Sequence, residues 1–164
     1  MHTFPEPEID VRGNGSVITA GDTSPSVSDS TDFGSAVSGG AAVARTFTVA
    51  NEGSSLLTLS NGVQVSGVDA SDFSVSVLPS GTVAAGDETT FVVSFAPLAV
   101  GSKAATLTIA SDDGDEGSFA FSVGGVGVPA PGRYLTPMCW LASVYVFLSS
   151  LVCALLQLDD WGIC

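Results

Sequence analysis

The stretch Gly86-Asp87-Glu88-Thr89-Thr90-Phe91-Val92-Val93-Ser94-Phe95-Ala96-Pro97 decides the fold. Phe91, Val93 and Phe95 recur with period two while Val92, Ser94 and Ala96 point the other way, which is the alternation of a half-buried strand. A Gly-Asp turn opens it and a proline closes it. One aromatic face must be buried against another face, and the first 128 residues offer several that match.

At the start of the chain, Glu8-Ile9-Asp10-Val11-Arg12 alternates as a first strand behind the stiff lead-in Pro5-Glu6-Pro7, and Gly13-Asn14-Gly15 turns the chain. Residues 16–44 are rich in Gly, Ser and Asp, with Val17-Ile18 and Phe33–Val37 as apolar islands; they are expected to form a long polar connection with short edge strands. Arg45–Ala50 is a strand with Phe47 and Val49 inward, stopped by Asn51-Glu52-Gly53. Leu57 and Leu59 form the next inward pair, and Asn61-Gly62 signals a tight turn into Val63-Gln64-Val65. Asp72–Val77 alternates until Pro79. Lys103–Ala110 puts Ala105, Leu107 and Ile109 on one side, and the hairpin turn 111–117 leads to a last strand with Phe119, Phe121 and Val123 inward. Gly124–Pro129 is expected to end the domain.

No stretch of residues 1–132 has helical periodicity. The expected fold is all-β, an immunoglobulin-like antiparallel β-sandwich of about seven to nine strands over residues 8–128, with 1–7 as an extended lead-in. Such a domain folds at this length without metal or disulfide.

The formal net charge is −13, from 4 Lys+Arg against 17 Asp+Glu. A phosphate backbone is repelled by such a surface, so nucleic acid is excluded as a partner. All three Cys, both Trp and both Tyr lie after Arg133. Beyond a linker at 129–137, residues 138–158 carry no charge and as a helix span about 31 Å, the thickness of a bilayer's hydrocarbon core. They are expected to be a transmembrane or hydrophobic helix, with Tyr134, Trp140 and Trp161 at the interfaces and 159–164 as a short acidic tail. A misjoined end would show the same shift in composition. Met1–Pro7 lacks a basic segment and an apolar run, so the chain as written is not addressed for export by the usual route, which fits either a fragment or a cytoplasmic protein.

Asp112, Asp113, Asp115 and Glu116 bring four carboxylates into one turn and are the candidate ligands for calcium, which takes six to eight hard oxygens. A solvated hairpin turn explains the same residues. Asp29 and Asp32 add ligands only if folding brings them near. The only histidine, His2, lies at the start, and the carboxylates fall in turns, so no acid, base and nucleophile set is expected: the chain is expected not to be an enzyme and to need no cofactor beyond such a calcium ion. Asn14-Gly15-Ser16 fits the glycosylation pattern, which a Gly-Asn-Gly turn equally explains.

The order and spacing of Pro7–Gly15, Asp29–Gly34, Arg45–Gly53, Asp72-Phe73, Thr89–Pro97, Ser111–Glu116 and Gly125–Gly127 resemble the choice-of-anchor D domain of bacterial surface proteins. That family is related to the immunoglobulin-like ASH/HYDIN and MSP-type domains. The resemblance implies a repeated, non-catalytic extracellular module followed by a C-terminal anchor. The chain is accordingly expected to be a structural or adhesive spacer at the cell surface, binding a protein or glycan at loops or sheet edges and held at the membrane through 138–158. An intracellular ASH/MSP-like scaffold and a calcium-dependent adhesion module are the alternatives.

Overall fold

A computed structural model describes residues 5–132. The expected helix at 138–158, most of the linker and the acidic tail lie outside the described residues. Among the described residues, no helix is long and apolar enough to cross a membrane.

Ten strands form two five-stranded sheets. The first sheet holds, in spatial order, β2 (Ser16–Ile18), β1 (Ile9–Gly13), β4 (Val43–Asn51), β8 (Glu88–Phe95) and β6 (Phe73–Val77). The second holds β3 (Asp32–Val37), β10 (Ser118–Val128), β9 (Gly101–Ser111), β5 (Leu57–Ser66) and β7 (Thr82–Val83). A single turn of 3-10 helix, Ala70–Asp72, precedes β6.

The period-two faces meet between the sheets as expected. Phe47 and Val49 of β4, Phe91, Val93 and Phe95 of β8, Leu57 of β5, Leu107 and Ile109 of β9 and Val123 of β10 are wholly buried. Two aromatic clusters organise this core. Phe95 stacks on Phe73 with centroids 4.8 Å apart, and Phe33 meets Phe73 edge-on at 5.6 Å. Phe47 stacks on Phe91 at 5.3 Å and leans on Phe121 at 5.8 Å. Offset stacking and edge-to-face contact are the arrangements that ring quadrupoles favour.

Four expectations need correction. The strands number ten rather than about seven to nine, the two-residue β7 among them. The sandwich is not wholly antiparallel, because β3 runs parallel to the second half of β10, with Val126 opposite Ser35 and Val128 opposite Val37. That half is Gly124–Val128, which continues the last strand rather than ending the domain. Its glycines let other chain segments come close: a Cβ on Gly125 would lie 2.6 Å from Cε1 of Phe95, so only glycine fits there.

Asn61-Gly62 is not a hairpin turn. Both residues have positive φ, 61° and 62°, as a tight turn would need, yet β5 runs on through them and keeps the same partner, with Ser60 opposite Ala110 and Val63 opposite Ile109. The two residues are an extra pair bulged out of one strand. Residues 16–44 do form the short edge strands expected of them, β2 and β3, and Ile18 and Phe33, each 2% exposed, add to the core.

Candidate functional site

Strand directions give the sandwich two poles. At the first, which we call the N-terminal pole, the lead-in is held by Ser54 N donating to Glu6 O and Glu52 N to Glu8 O, both at 2.9 Å. The turns 51–56, 84–87 and 112–117 lie beside it. At the opposite, C-terminal pole, the loops 38–42, 67–72 and 96–101 surround the end of β10, where the chain leaves the domain at Val128.

The N-terminal pole collects most of the acid. Glu8, Asp113, Asp115 and Glu116 each place a carboxylate oxygen within 4.8 Å of the others. Asp113 is the buried member and its role is visible in its bonds. Its Oδ2 accepts from Ile9 N at 2.8 Å, while Oδ1 accepts from Asp115 N at 3.2 Å and Glu116 N at 3.4 Å. One side chain thus closes the β9–β10 turn and ties it to the start of β1. Burial raises the Asp113 carboxyl, but the three amide donors outweigh it and hold the group below its ordinary value of 3.8.

The neighbours shift the other way. Glu8 is raised above 4.5 by desolvation and then by the charges of Asp113 and Asp115. Glu116 is raised chiefly by the charge of Asp115. Oε2 of Glu116 is buried and meets no hydrogen-bond partner among the described residues. The arrangement concentrates hard oxygens and has the donor chemistry for a divalent cation, although both oxygens of Asp113 are already engaged by amides.

The expected ligand set therefore changes at one position. Asp112 is not in the group: its Oδ1 accepts from Thr58 N at 2.7 Å, fastening the turn to β5, and this bond lowers its carboxyl. Glu8 takes its place, a residue that sequence spacing hides because it lies at the far end of the chain from the turn. Asp29 and Asp32 serve their own loop, with Asp29 Oδ1 accepting from Thr31 N and Oγ1 and Asp32 Oδ1 accepting from Gly34 N.

A second organising residue at this pole is Asn51, 1% exposed and with every bonding position of its amide used. Its Oδ1 accepts from Glu8 N at 3.2 Å and Gly53 N at 3.1 Å, and its Nδ2 donates to Ser55 O at 2.7 Å and Val83 O at 3.0 Å. It looks in the sequence like an ordinary strand stop.

The C-terminal pole is built around Lys103. Its Nζ lies 3.3 Å from Oδ1 of Asp69 and 3.1 Å from Oδ2 of Asp72. Asp72, buried, also accepts from Leu98 N at 2.9 Å, so the loops 67–72 and 96–101 are fixed to each other. The ammonium is held above its ordinary value, first by its bond to Asp72; Asp69 is lowered, first by its bond from Ala104 N.

These shifts give a signed pH dependence. Glu8 and Glu116 have raised values in the folded state, so the native protein binds more protons than the unfolded chain and their strain is relieved as pH falls from 7 towards 4.5. Asp69, Asp112 and Asp113 are lowered, so the stability they contribute is present above 3.8 and lost as pH falls through their folded values. Urea midpoints should rise from pH 7 to about pH 5 and drop below about pH 4. Glu8→Gln should flatten the rise and leave the acid limb in place.

Two five-stranded sheets packed through alternating aromatic and β-branched faces define an immunoglobulin-like domain. A family model described as the HYDIN/CFA65/VesB-like, Ig-like domain matches residues 26–123, more than half of the chain. The chain belongs to that family. No curated protein matches it. Among solved structures, a protein of unknown function from Porphyromonas gingivalis W83 is similar at 18% identity and a TM-score of 0.49, covering 58% of this chain and 42% of that one. The ASH/PapD-like domain 7 of human CEP192 is similar at 19% identity and a TM-score of 0.45, covering 79% of this chain and 92% of that one. The VesB protease of Vibrio cholerae is similar at 16% identity and a TM-score of 0.44, covering 73% of this chain and 31% of that one. This chain thus spans less than half of the Porphyromonas and Vibrio proteins.

Proposed function

We propose that the domain is a non-catalytic spacer and interaction module of the choice-of-anchor D type, presented at a cell surface and tethered through residues 138–158. The observation that carries this reading is the position of the two ends of the domain. The lead-in is hydrogen-bonded at the N-terminal pole and β10 delivers the chain to the opposite one. An eleven-residue strand is about 37 Å long at the usual rise per residue, so the domain holds its entry and exit points apart by that distance. A module whose ends share one face adds little reach; one with ends at opposite poles works as a link in a chain.

Support for the non-catalytic part comes from what the carboxylates do. Asp29, Asp32, Asp69, Asp72, Asp112 and Asp113 all accept bonds from backbone amides of the loops that they hold. They are structural fasteners rather than positioned acids or bases. Partner contact falls to the loops and to the sheet edges, of which β6 ends in exposed Val77, with exposed Leu78 just after it.

Deletion of residues 138–158 tests the tether. The full chain should sediment with membranes and the deleted chain should stay in the soluble fraction with an unchanged melting temperature. A full chain found in the soluble fraction, or a deleted chain still bound to membranes, contradicts the tethered reading.

A further inference from the structure

The two poles differ in charge as well as in connection. The segments 6–8, 51–55, 84–88 and 112–117 of the N-terminal pole carry nine carboxylates and no basic residue. The segments 38–42, 67–72, 96–103 and 126–132 of the C-terminal pole carry only Asp69, Asp72 and Lys103, which are paired with one another. This pole shows three strongly exposed aliphatic side chains, Val68 at 96%, Leu98 at 71% and Val100 at 60%, whereas the turns of the N-terminal pole show Leu56 at 55%.

These three side chains come from two loops that are fastened together. Leu98 N donates to the Asp72 carboxylate and Ala96 N to Asp72 O at 2.8 Å, while Lys103 bridges Asp69 and Asp72. A pole whose three charges are paired with one another and which carries three protruding aliphatic groups is unusual on a chain of net charge −13. The same pole is where the chain leaves the domain. From Gly132 only residues 133–137 precede the uncharged stretch 138–158, a reach of roughly 20 Å at the extended rise per residue.

We propose that the C-terminal pole rests on the lipid surface, with Val68, Leu98 and Val100 inserted at the boundary between headgroups and acyl chains. The inference builds on the tethered reading above and adds to it a contact face and an orientation. Aliphatic side chains gain by leaving water at such a boundary, and the short connection keeps the pole close enough for that weak gain to suffice. The crowd of carboxylates at the other pole is then held farthest from the membrane, where repulsion from anionic lipid is least. The occupant is lipid rather than a soluble partner because the chain itself brings this pole, and not the other, to the segment with the hydropathy of a bilayer span.

The test uses the full chain reconstituted into phosphatidylcholine vesicles that contain a photoactivatable phosphatidylcholine, with labelled peptides identified by mass spectrometry. The peptide containing Leu98 and Val100 should be labelled, the turn 112–117 should not, and residues 138–158 serve as the internal control. The double variant Leu98→Glu/Val100→Glu, both positions being solvent-exposed, should cut labelling of its pole by about tenfold, the scale expected when buried aliphatic groups are replaced by charges. Labelling of 138–158 and the melting temperature should stay as in the unaltered chain. If 138–158 is labelled and the pole is not, the pole does not touch lipid and this inference is overturned while the tether stands. Without labelling of 138–158 the tether itself fails, and the inference with it. Equal labelling of both poles also overturns the proposed orientation.

Discussion

Phe95→Ala is expected to lower the unfolding free energy by about 3–5 kcal/mol, the usual cost of emptying a buried phenylalanine site. Phe95 is wholly buried, stacks on Phe73, tilts against Phe33 at 6.0 Å and covers Gly125. Its ring thus joins β8 and β6 of one sheet to β3 and β10 of the other, and neither sheet can collapse into the gap without losing register. For a domain of this size the melting temperature should fall by roughly 10–20 °C. Leu98→Ala, three positions along but exposed, should change stability by less than about 0.5 kcal/mol. Calorimetry on the two variants side by side makes the comparison, and comparable losses would show that Phe95 is not the buried joint between the sheets.

Asn51→Ala is expected to cost about 3 kcal/mol, and for a different reason. Four backbone groups, from Glu8, Gly53, Ser55 and Val83, lose the partner that one amide supplies. Buried donors and acceptors left without partners are more costly than the bonds were favourable. The loss should be local as well as global. Hydrogen exchange should quicken most at Glu8 and Gly53, whose amides donate to Asn51, while β9 and β10 should lose only the protection that the global loss removes. Asn51→Asp keeps the acceptor but not the donors, so it should rescue the amide protection at Glu8 and Gly53 more than the stability. A variant that melts like the unaltered chain would remove Asn51 from this role.

The sheets were legible wherever apolar residues alternate. Phe47/Val49, Phe91/Val93/Phe95, Leu107/Ile109 and Phe119/Phe121/Val123 all announce their inward faces because a pleated strand has a period of two and one face of each must leave water. The hidden elements have no apolar signature. Gly124–Val128 reads as a terminator, since glycine normally weakens strands; here the missing side chains are what allow Phe95 and the 97–99 loop to pack closely over it. Asn61-Gly62 demands positive φ whether the chain reverses or merely bulges, so the dipeptide fixes the dihedrals and not the path.

The candidate site was half legible for a related reason. The 112–116 turn is visible as a run of acids, yet Asp112 and Asp113 do different things that only their bonding partners separate. Glu8 joins the cluster because β1, whose Ile9 bonds Asp113 across 104 positions, begins beside the turn, and composition carries no information at such a distance. Asn51 and Lys103 act through backbone groups and buried carboxylates of other segments, and nothing local marks either one.

A surface module held through 138–158 with its acidic pole outward is tested most directly by protease accessibility of an N-terminal tag on intact cells, with the membrane fraction assayed in parallel. The expected result is a membrane-associated protein whose tag is removed from outside. A tag that is protected in intact cells, or a protein that remains soluble, would contradict the surface reading and favour an intracellular scaffold built on the same sandwich.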